Sequence, residues 1–100
     1  MYTKEVLKIA EFMGITPIRG LNERTGNEYY YYNNPEVKDF EALPLYNTWG
    51  DIMPVLLKIE DLNDDIIDIY DCTVEMGDNI FTRNTKLEAV ITFVNWWINK

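Results

Sequence analysis

The sequence predicts an α+β fold in which helices pack against a small antiparallel sheet, in the order helix, short strand, helix, β-hairpin, helix. Apolar residues recur at helical spacing in three segments, and strand-forming residues concentrate in two others. Turn-forming residues separate these segments. Because 100 residues are near the usual size of one domain, we expect a single domain over residues 1–100.

The first helix is predicted over residues 3–13. Thr3 suits the N-cap position, and Gly14 suits the cap that follows the last turn. Residues three and four apart share one face of a helix, and an apolar face of this kind is expected to face the core. The residues that make this face are Val6, Ile9, Ala10 and Met13.

A loop is predicted over residues 15–28, because proline, glycine and asparagine interrupt any periodic pattern there. Four consecutive tyrosines then favour a short edge strand over residues 28–32, since tyrosine is a strong strand former. Side chains alternate along a strand, so Tyr29 and Tyr31 should face one way and Tyr30 and Tyr32 the other.

These tyrosines have three interpretations. They cover the flank of the core, or they form a recognition surface, for which tyrosine is well suited as a rigid amphipathic contact residue. The third is a nucleotide platform in which Arg19 or Arg24 meets a phosphate and Tyr30 stacks on the base.

Residues 36–47 are predicted to be irregular, and a central helix follows them. Thr48 and Asp51 have the spacing of a capping box, which would start the helix at Trp49 and place Pro54 inside it. The alternative is that Asp51 is the cap and Pro54 lies in the first turn, where its missing N–H costs nothing.

A β-hairpin is predicted after this helix. Residues 66–76 are rich in strand formers, and their alternation slips by one residue near Tyr70 and Asp71, which would fit a bulge. Residues 77–79 have the composition of a turn, and residues 80–82 would form the return strand.

The last helix begins with a capping box made by Thr85 and Glu88. It carries two apolar stripes, one through Val90 and Val94 and a second through Phe93. A helix that is apolar on two sides packs on a sheet and also on another element, which is either the first helix or a second copy of the chain. A short sheet also leaves strand edges unpaired. Together with Trp96, Trp97 and the tyrosines, this predicts a homodimer or a larger assembly, with Trp96 and Trp97 as candidate interface residues.

Composition narrows the possible chemistry. The chain has no His, no Ser and no Gln, so serine–histidine triads, cysteine–histidine dyads and imidazole proton shuttles are excluded within it. Its only cysteine, Cys72, lies in a strand pattern and favours a buried, inert thiol. We expect no catalytic residues, no metal site, no cofactor and no enzymatic activity.

The net charge of −8 predicts that the chain does not bind nucleic acid directly, because phosphate neutralisation dominates that affinity. Acids concentrate between residues 60 and 71. This segment does not match a calcium-binding loop, because Ile66 and Cys72 stand where such a loop requires glycine and glutamate. The cluster is a solvated rim, or a surface that imitates a phosphate backbone. Its candidate partner-binding residues are Asp64, Asp65, Asp68 and Asp71.

The first residues lack the apolar core of a signal peptide, and no apolar run approaches the roughly 20 residues of a membrane span. A single cysteine also fits a reducing compartment. We therefore expect a cytoplasmic protein with no membrane partner.

Three motifs carry a resemblance to a family. The segment Trp49-Gly50-Asp51-Ile52-Met53-Pro54-Val55-Leu56-Leu57-Lys58-Ile59-Glu60 resembles the W-x-x-hydrophobic-M-P-V helix of the phage alpha-beta-alpha (ABA) sandwich family. Ile9 to Gly14 (IAEFMG) and Lys86 to Ala89 (KLEA) are similar to its other two motifs. The resemblance covers about two-thirds of the chain. It implies a bacteriophage or prophage source and helices packed on an antiparallel sheet, and it carries over no catalytic residues.

A phage source would favour action by binding. The leading hypothesis is a protein that inhibits a bacterial immune component, such as a CRISPR-type system, by direct protein–protein contact inside the infected cell. Tyr29–Tyr32 and the acids after residue 60 are the candidate surfaces. The alternatives are a sponge that sequesters a small nucleotide signal and a nucleic-acid mimic that occupies a basic channel. A hydrolase that depends on carboxylates is a further alternative, from the enzyme class.

Overall fold

The computed structural model describes residues 3–63 and 65–99 and has the predicted α+β class. Within these residues, three helices accompany two three-stranded antiparallel sheets. The chain divides into two compact units, Met1–Leu45 and Tyr46–Lys100. The first unit contains α1 (Lys4–Phe12), β1 (Ile18–Leu21), β2 (Glu28–Asn34) and β3 (Asp39–Ala42). The second contains α2 (Trp49–Leu62), β4 (Ile67–Tyr70), β5 (Thr73–Met76), β6 (Asn79–Thr82) and α3 (Lys86–Asn99).

Both ends of α1 are capped as the sequence predicts. The Thr3 hydroxyl accepts a hydrogen bond from the backbone N–H of Val6 at 3.3 Å. At the other end, Gly14 adopts a φ of +77°, which glycine tolerates without strain. The N–H groups of Gly14 and Ile15 donate to the carbonyls of Glu11 and Ala10, a Schellman motif that satisfies the last turn.

The first sheet has the order β1-β2-β3, so the tyrosine-rich strand is central. Three predictions were wrong here: the loop over 15–28 contains β1, the irregular segment 36–47 contains β3, and the tyrosines do not form an edge. β1 and β3 contain poor strand formers such as Gly20, Asp39 and Glu41. They are strands because both edges of β2 supply backbone partners, which local propensity does not reveal.

The central helix α2 starts at Trp49, as the first of the two alternatives states. Thr48 is the N-cap, and its hydroxyl accepts a hydrogen bond from the Asp51 N–H at 3.3 Å. Pro54 therefore lies inside the helix and cannot donate to the carbonyl of Gly50.

The second sheet is a meander with the order β4-β5-β6. The prediction of one strand over 66–76 with a bulge was wrong, because a tight turn at Asp71 and Cys72 separates β4 from β5. Asp71 takes a φ of +47°, and aspartate tolerates this region better than most residues. The predicted turn at Gly77 and the return strand are confirmed.

The core of the second unit lies between one face of this sheet and the two helices. Thr85 caps α3, with its hydroxyl accepting from the Glu88 N–H at 3.1 Å. α3 packs on all three strands and on α2, and both of its predicted apolar stripes contribute buried residues. The residues of the second unit that are almost fully buried include Ile52, Val55, Leu56, Ile59, Val74, Ala89, Val90, Phe93 and Val94.

Candidate binding surfaces

One side of the first sheet is an exposed surface that we call the aromatic face. Strand alternation and register place Tyr29 and Tyr31 of β2 on this side together with Phe40 of β3. The ring centroids of Tyr29 and Tyr31 are 5.8 Å apart, and those of Tyr31 and Phe40 are 5.6 Å apart with the rings edge to face. Phe40 remains 58 % exposed and Tyr29 45 % exposed. The full set of residues on the aromatic face is Ile18, Gly20, Tyr29, Tyr31, Asn33, Phe40 and Ala42.

Gly20 leaves room for the Tyr29 ring on this face. It lies directly opposite Tyr29 in the ladder, and a Cβ built on Gly20 would overlap the Tyr29 ring. The ring therefore covers the glycine, as an aromatic side chain does when it shields the open backbone of an edge glycine.

The opposite side of the sheet carries Tyr30 and Tyr32, as the predicted alternation requires. The Tyr32 hydroxyl donates to Glu41 at 3.4 Å, and the Asn34 amide donates both to that hydroxyl and to Glu41. Burial, followed by the charge of Glu41, raises the pKa of Tyr32 above its usual value of 10. Tyr32 is thus engaged within the first unit.

Tyr30 lines a shallow groove with a volume of about 440 Å³ beside α1. Arg19 lies directly opposite Tyr30 in the ladder, but its guanidinium forms an ion pair with Glu28. Arg24 lies in the turn between β1 and β2, beyond the last ladder pair. The only charged residue that lines the groove is an acid, and the lining residues are Leu7, Glu11, Ile15, Thr16, Pro17 and Tyr30.

This geometry is poor for a nucleotide. Of the predicted ligand-binding residues, the structure brings Arg19 and Tyr30 together and leaves Arg24 apart. Glu28 already neutralises Arg19, and the Glu11 carboxylate would repel a phosphate that entered the groove.

The outer side of the second sheet is a different surface, which we call the acidic face. Val74 of β5 is fully buried and Phe81 of β6 contacts α3, so their strand neighbours point away from the core. Both Tyr70 and Ile80 are exposed, by 46 % and 59 %. The full set on the acidic face is Asp68, Tyr70, Thr73, Glu75, Ile80 and Thr82.

Two acids are directly opposed on this face. Asp68 of β4 is paired in register with Glu75 of β5. The Tyr70 hydroxyl donates to Glu75 at 2.8 Å, and Thr73 and Thr82 are hydrogen-bonded at 3.1 Å. The pKa of Tyr70 is raised, mainly by its hydrogen bond to Glu75. Burial and the negative charge of the neighbouring acids also raise it.

The other predicted acids surround this face only in part. Asp71 is exposed in the turn after β4, and Asp65 is exposed in the segment before β4. Asp64 lies outside the described residues. Glu75, Tyr70 and Phe40 belong to the two surfaces but were not predicted as site residues. The alternation of β5 could have indicated Glu75, whereas Phe40 required knowledge of β3.

The two predicted interface tryptophans are half-buried. The Trp96 ring lies 5.3 Å from that of Phe81 and 6.2 Å from that of Phe93, so much of its surface packs inside the second unit. Trp97 is half-buried as well. Cys72 was predicted to be buried in a strand, but it is half-buried in the Asp71–Cys72 turn, where its Sγ lies 3.5 Å from the Asn84 carbonyl.

Among the described residues, no charged or polar side chain is buried. No three Asp, Glu or Cys residues of this part of the chain are close enough together to hold a metal ion. None of the helices in residues 3–63 and 65–99 has the length and apolar character needed to cross a membrane.

Comparisons with protein-family models, with curated proteins and with solved structures found no match to this chain. The function is therefore inferred from the aromatic face and the acidic face.

Proposed function

We propose that this chain is a non-enzymatic binding protein whose acidic face contacts a basic surface of another protein. The observation that carries the proposal is the direct opposition of Asp68 and Glu75 on an exposed sheet face. Like charges in directly opposed strand positions destabilise a sheet. Folding therefore does not account for two acids in these positions, which favours a role for the charge in binding.

The composition of the sheet supports this role. β4, β5 and β6 contain no Lys or Arg, so no base within these strands compensates the pair. The second unit has ten acids and four bases, whereas the first has seven and five. The negative charge is thus concentrated in the unit that carries the acidic face, and a field of one sign steers and selects a partner of the opposite sign.

The face also has features of a protein contact besides charge. Tyr70 and Ile80 are exposed beside the acids, and tyrosine is enriched in interface hot spots. The hydrogen bond to Glu75 fixes the Tyr70 ring before binding, which lowers the entropic cost of association.

For the partner, we propose a bacterial defence protein, such as a CRISPR-type component, that is inhibited in the cytoplasm of an infected cell. The resemblance of Trp49–Glu60 to the phage family supports this choice. The acidic face favours a defence protein with a basic channel that binds nucleic acid. In that channel the carboxylates of the acidic face would take the place of phosphates.

The test compares phage plating on bacteria that express the chain, across strains that each carry one CRISPR-type system. The double variant Asp68→Asn/Glu75→Gln removes the opposed acids. Its matched control, Glu23→Gln/Glu36→Gln, removes the same net charge from exposed turns of the first unit.

We expect the wild-type chain and the control to restore plating on at least one defended strain, and the acidic-face variant to lose this effect. Far-UV circular dichroism establishes that both variants are folded. No restoration on any strain would refute the choice of target, and equal restoration by the acidic-face variant would refute the proposed surface.

A further inference from the structure

The aromatic face differs from every other surface described above because it carries no charge. The strands β1, β2 and β3 contain four charged residues, and register places all four on the opposite side of the sheet. These four residues are Arg19, Glu28, Asp39 and Glu41. In a chain with a net charge of −8, one exposed sheet face is thus left neutral, with aromatic and aliphatic side chains and a single amide, Asn33.

From this segregation we infer that the aromatic face binds a second copy of the same chain, giving a two-fold symmetric dimer. The inference rests on the first unit and is independent of the proposed function of the acidic face. In such a dimer one patch packs against its own symmetry mate, so any charge near the axis meets an equal charge. A neutral face is compatible with this symmetry.

The charge distribution selects this face among the surfaces of the chain. On the acidic face, the Asp68–Glu75 pair would meet another such pair across a two-fold axis. The aromatic face avoids this repulsion, and it lies in the unit whose acids and bases are nearly balanced. A foreign partner attracted by the acidic charge of the protein would find no charged group to bind here.

The side chains of the face are suited to self-association. The Tyr29, Tyr31 and Phe40 rings form a continuous row, and Ile18 extends it on the neighbouring strand with 36 % of its surface exposed. The Tyr29 ring covers Gly20, so the open backbone of β1 does not interrupt this apolar surface. Two sheets that pack face to face lie about 10 Å apart, with such side chains between them.

The face is small for a protein–protein interface, which indicates a weak dimer. Three strands about 4.8 Å apart and up to seven residues long span roughly 300 Å² in projection. A standard interface buries about 800 Å² on each partner. We therefore expect a weak dimer that exchanges with monomer, with a dissociation constant in the micromolar range or above.

Sedimentation velocity over a range from about 1 μM to 1 mM tests the inference, with two variants that place a glutamate on the same sheet. Phe40→Glu adds the charge to the aromatic face. Leu21→Glu is the matched control, because Leu21 is 59 % exposed on the other side of the sheet.

We expect the mass of the wild-type chain to rise from 11.8 kDa toward twice that value with concentration. Phe40→Glu should weaken the dimer at least tenfold, and Leu21→Glu should behave as the wild type. A wild-type chain that is monomeric throughout, or a dimer that Phe40→Glu leaves unchanged, would overturn the inference.

A second measurement covers the case in which Phe40→Glu fails to fold. Dilution of the wild-type chain, followed by nuclear magnetic resonance, should shift ring signals of Tyr29, Tyr31 and Phe40 and leave those of Tyr32 and Tyr70 unchanged. Concentration-dependent shifts confined to Tyr70, or to the Trp96 and Trp97 rings, would assign the dimer to another surface and overturn the inference.

Discussion

Replacing Asp68 by asparagine should make the protein more stable. The substitution keeps the shape of the side chain but removes one of two like charges that face each other across β4 and β5. It leaves the hydrogen bond from Tyr70 to Glu75 in place.

The size of the gain follows from Coulomb's law. Two unit charges about 5 Å apart in a water-like medium repel by roughly 0.8 kcal/mol, and salt reduces this value. Measured costs of directly opposed like charges lie in the same range, about 0.2–1 kcal/mol. We therefore expect Asp68→Asn to raise the free energy of unfolding by about 0.5 kcal/mol, which corresponds to a rise in melting temperature of roughly 2–4 °C.

The assay is urea unfolding at low salt, with Asp65→Asn as the control. Asp65 is an exposed acid of the same unit that lies outside the opposed pair, and its replacement removes the same charge. The gain for Asp68→Asn should exceed that of the control and should shrink in 1 M salt, where the Debye length falls to about 3 Å. Equal gains for both variants, or a loss of stability with Asp68→Asn, would refute this reasoning.

Three further predictions concern stability. Phe93 is fully buried between α3 and the second sheet, so Phe93→Ala should cost about 3–5 kcal/mol in urea unfolding. Thr85→Ala should cost about 1 kcal/mol because it removes the cap of α3, and Thr85→Ser should restore most of it. The pKa of Tyr70 is raised in the folded state, so its contribution to stability is complete below pH 10 and is lost as the pH rises through the folded value. Spectrophotometric titration should show tyrosines that ionise above pH 10, and Tyr70→Phe should remove one of them and lessen the alkaline loss of stability.

The helices could be predicted because their signals are local. Thr3, Gly14, Thr48 and Thr85 mark helix ends through hydrogen bonds to residues a few positions away. Apolar periodicity in the same segments then indicates which side of each helix is buried. The position of Pro54 could not be predicted from the sequence, because both alternatives for the start of α2 satisfied the local rules. The structure shows that Thr48 is the cap and that Pro54 lies inside the helix.

The sheets could be predicted only in part because strand pairing is not local. Nothing in Asp39-Phe40-Glu41-Ala42 favours a strand until β2 provides its partner. The turn at Asp71 was interpreted as a bulge because a slip in alternation fits both.

The candidate surfaces, too, could be predicted only where the sequence signal is local. Alternation correctly separated Tyr29 and Tyr31 from Tyr30 and Tyr32, and Asp68 of the predicted acid-rich segment lies on the acidic face. The opposition of Asp68 and Glu75, and the neutrality of the side that carries Phe40, are properties of strand register. They could not be predicted without knowing that the segments 18–21, 39–42 and 73–76 are separate strands.

The most direct test of the central claim is the dissociation constant between this chain and the defence protein that the plating experiment identifies. We predict that Asp68→Asn/Glu75→Gln weakens binding about tenfold or more, that the difference narrows at high salt, and that Glu23→Gln/Glu36→Gln binds as the wild type does. Equal affinities for wild type and the acidic-face variant, or an affinity that rises with salt, would contradict the claim that the acidic face makes the contact.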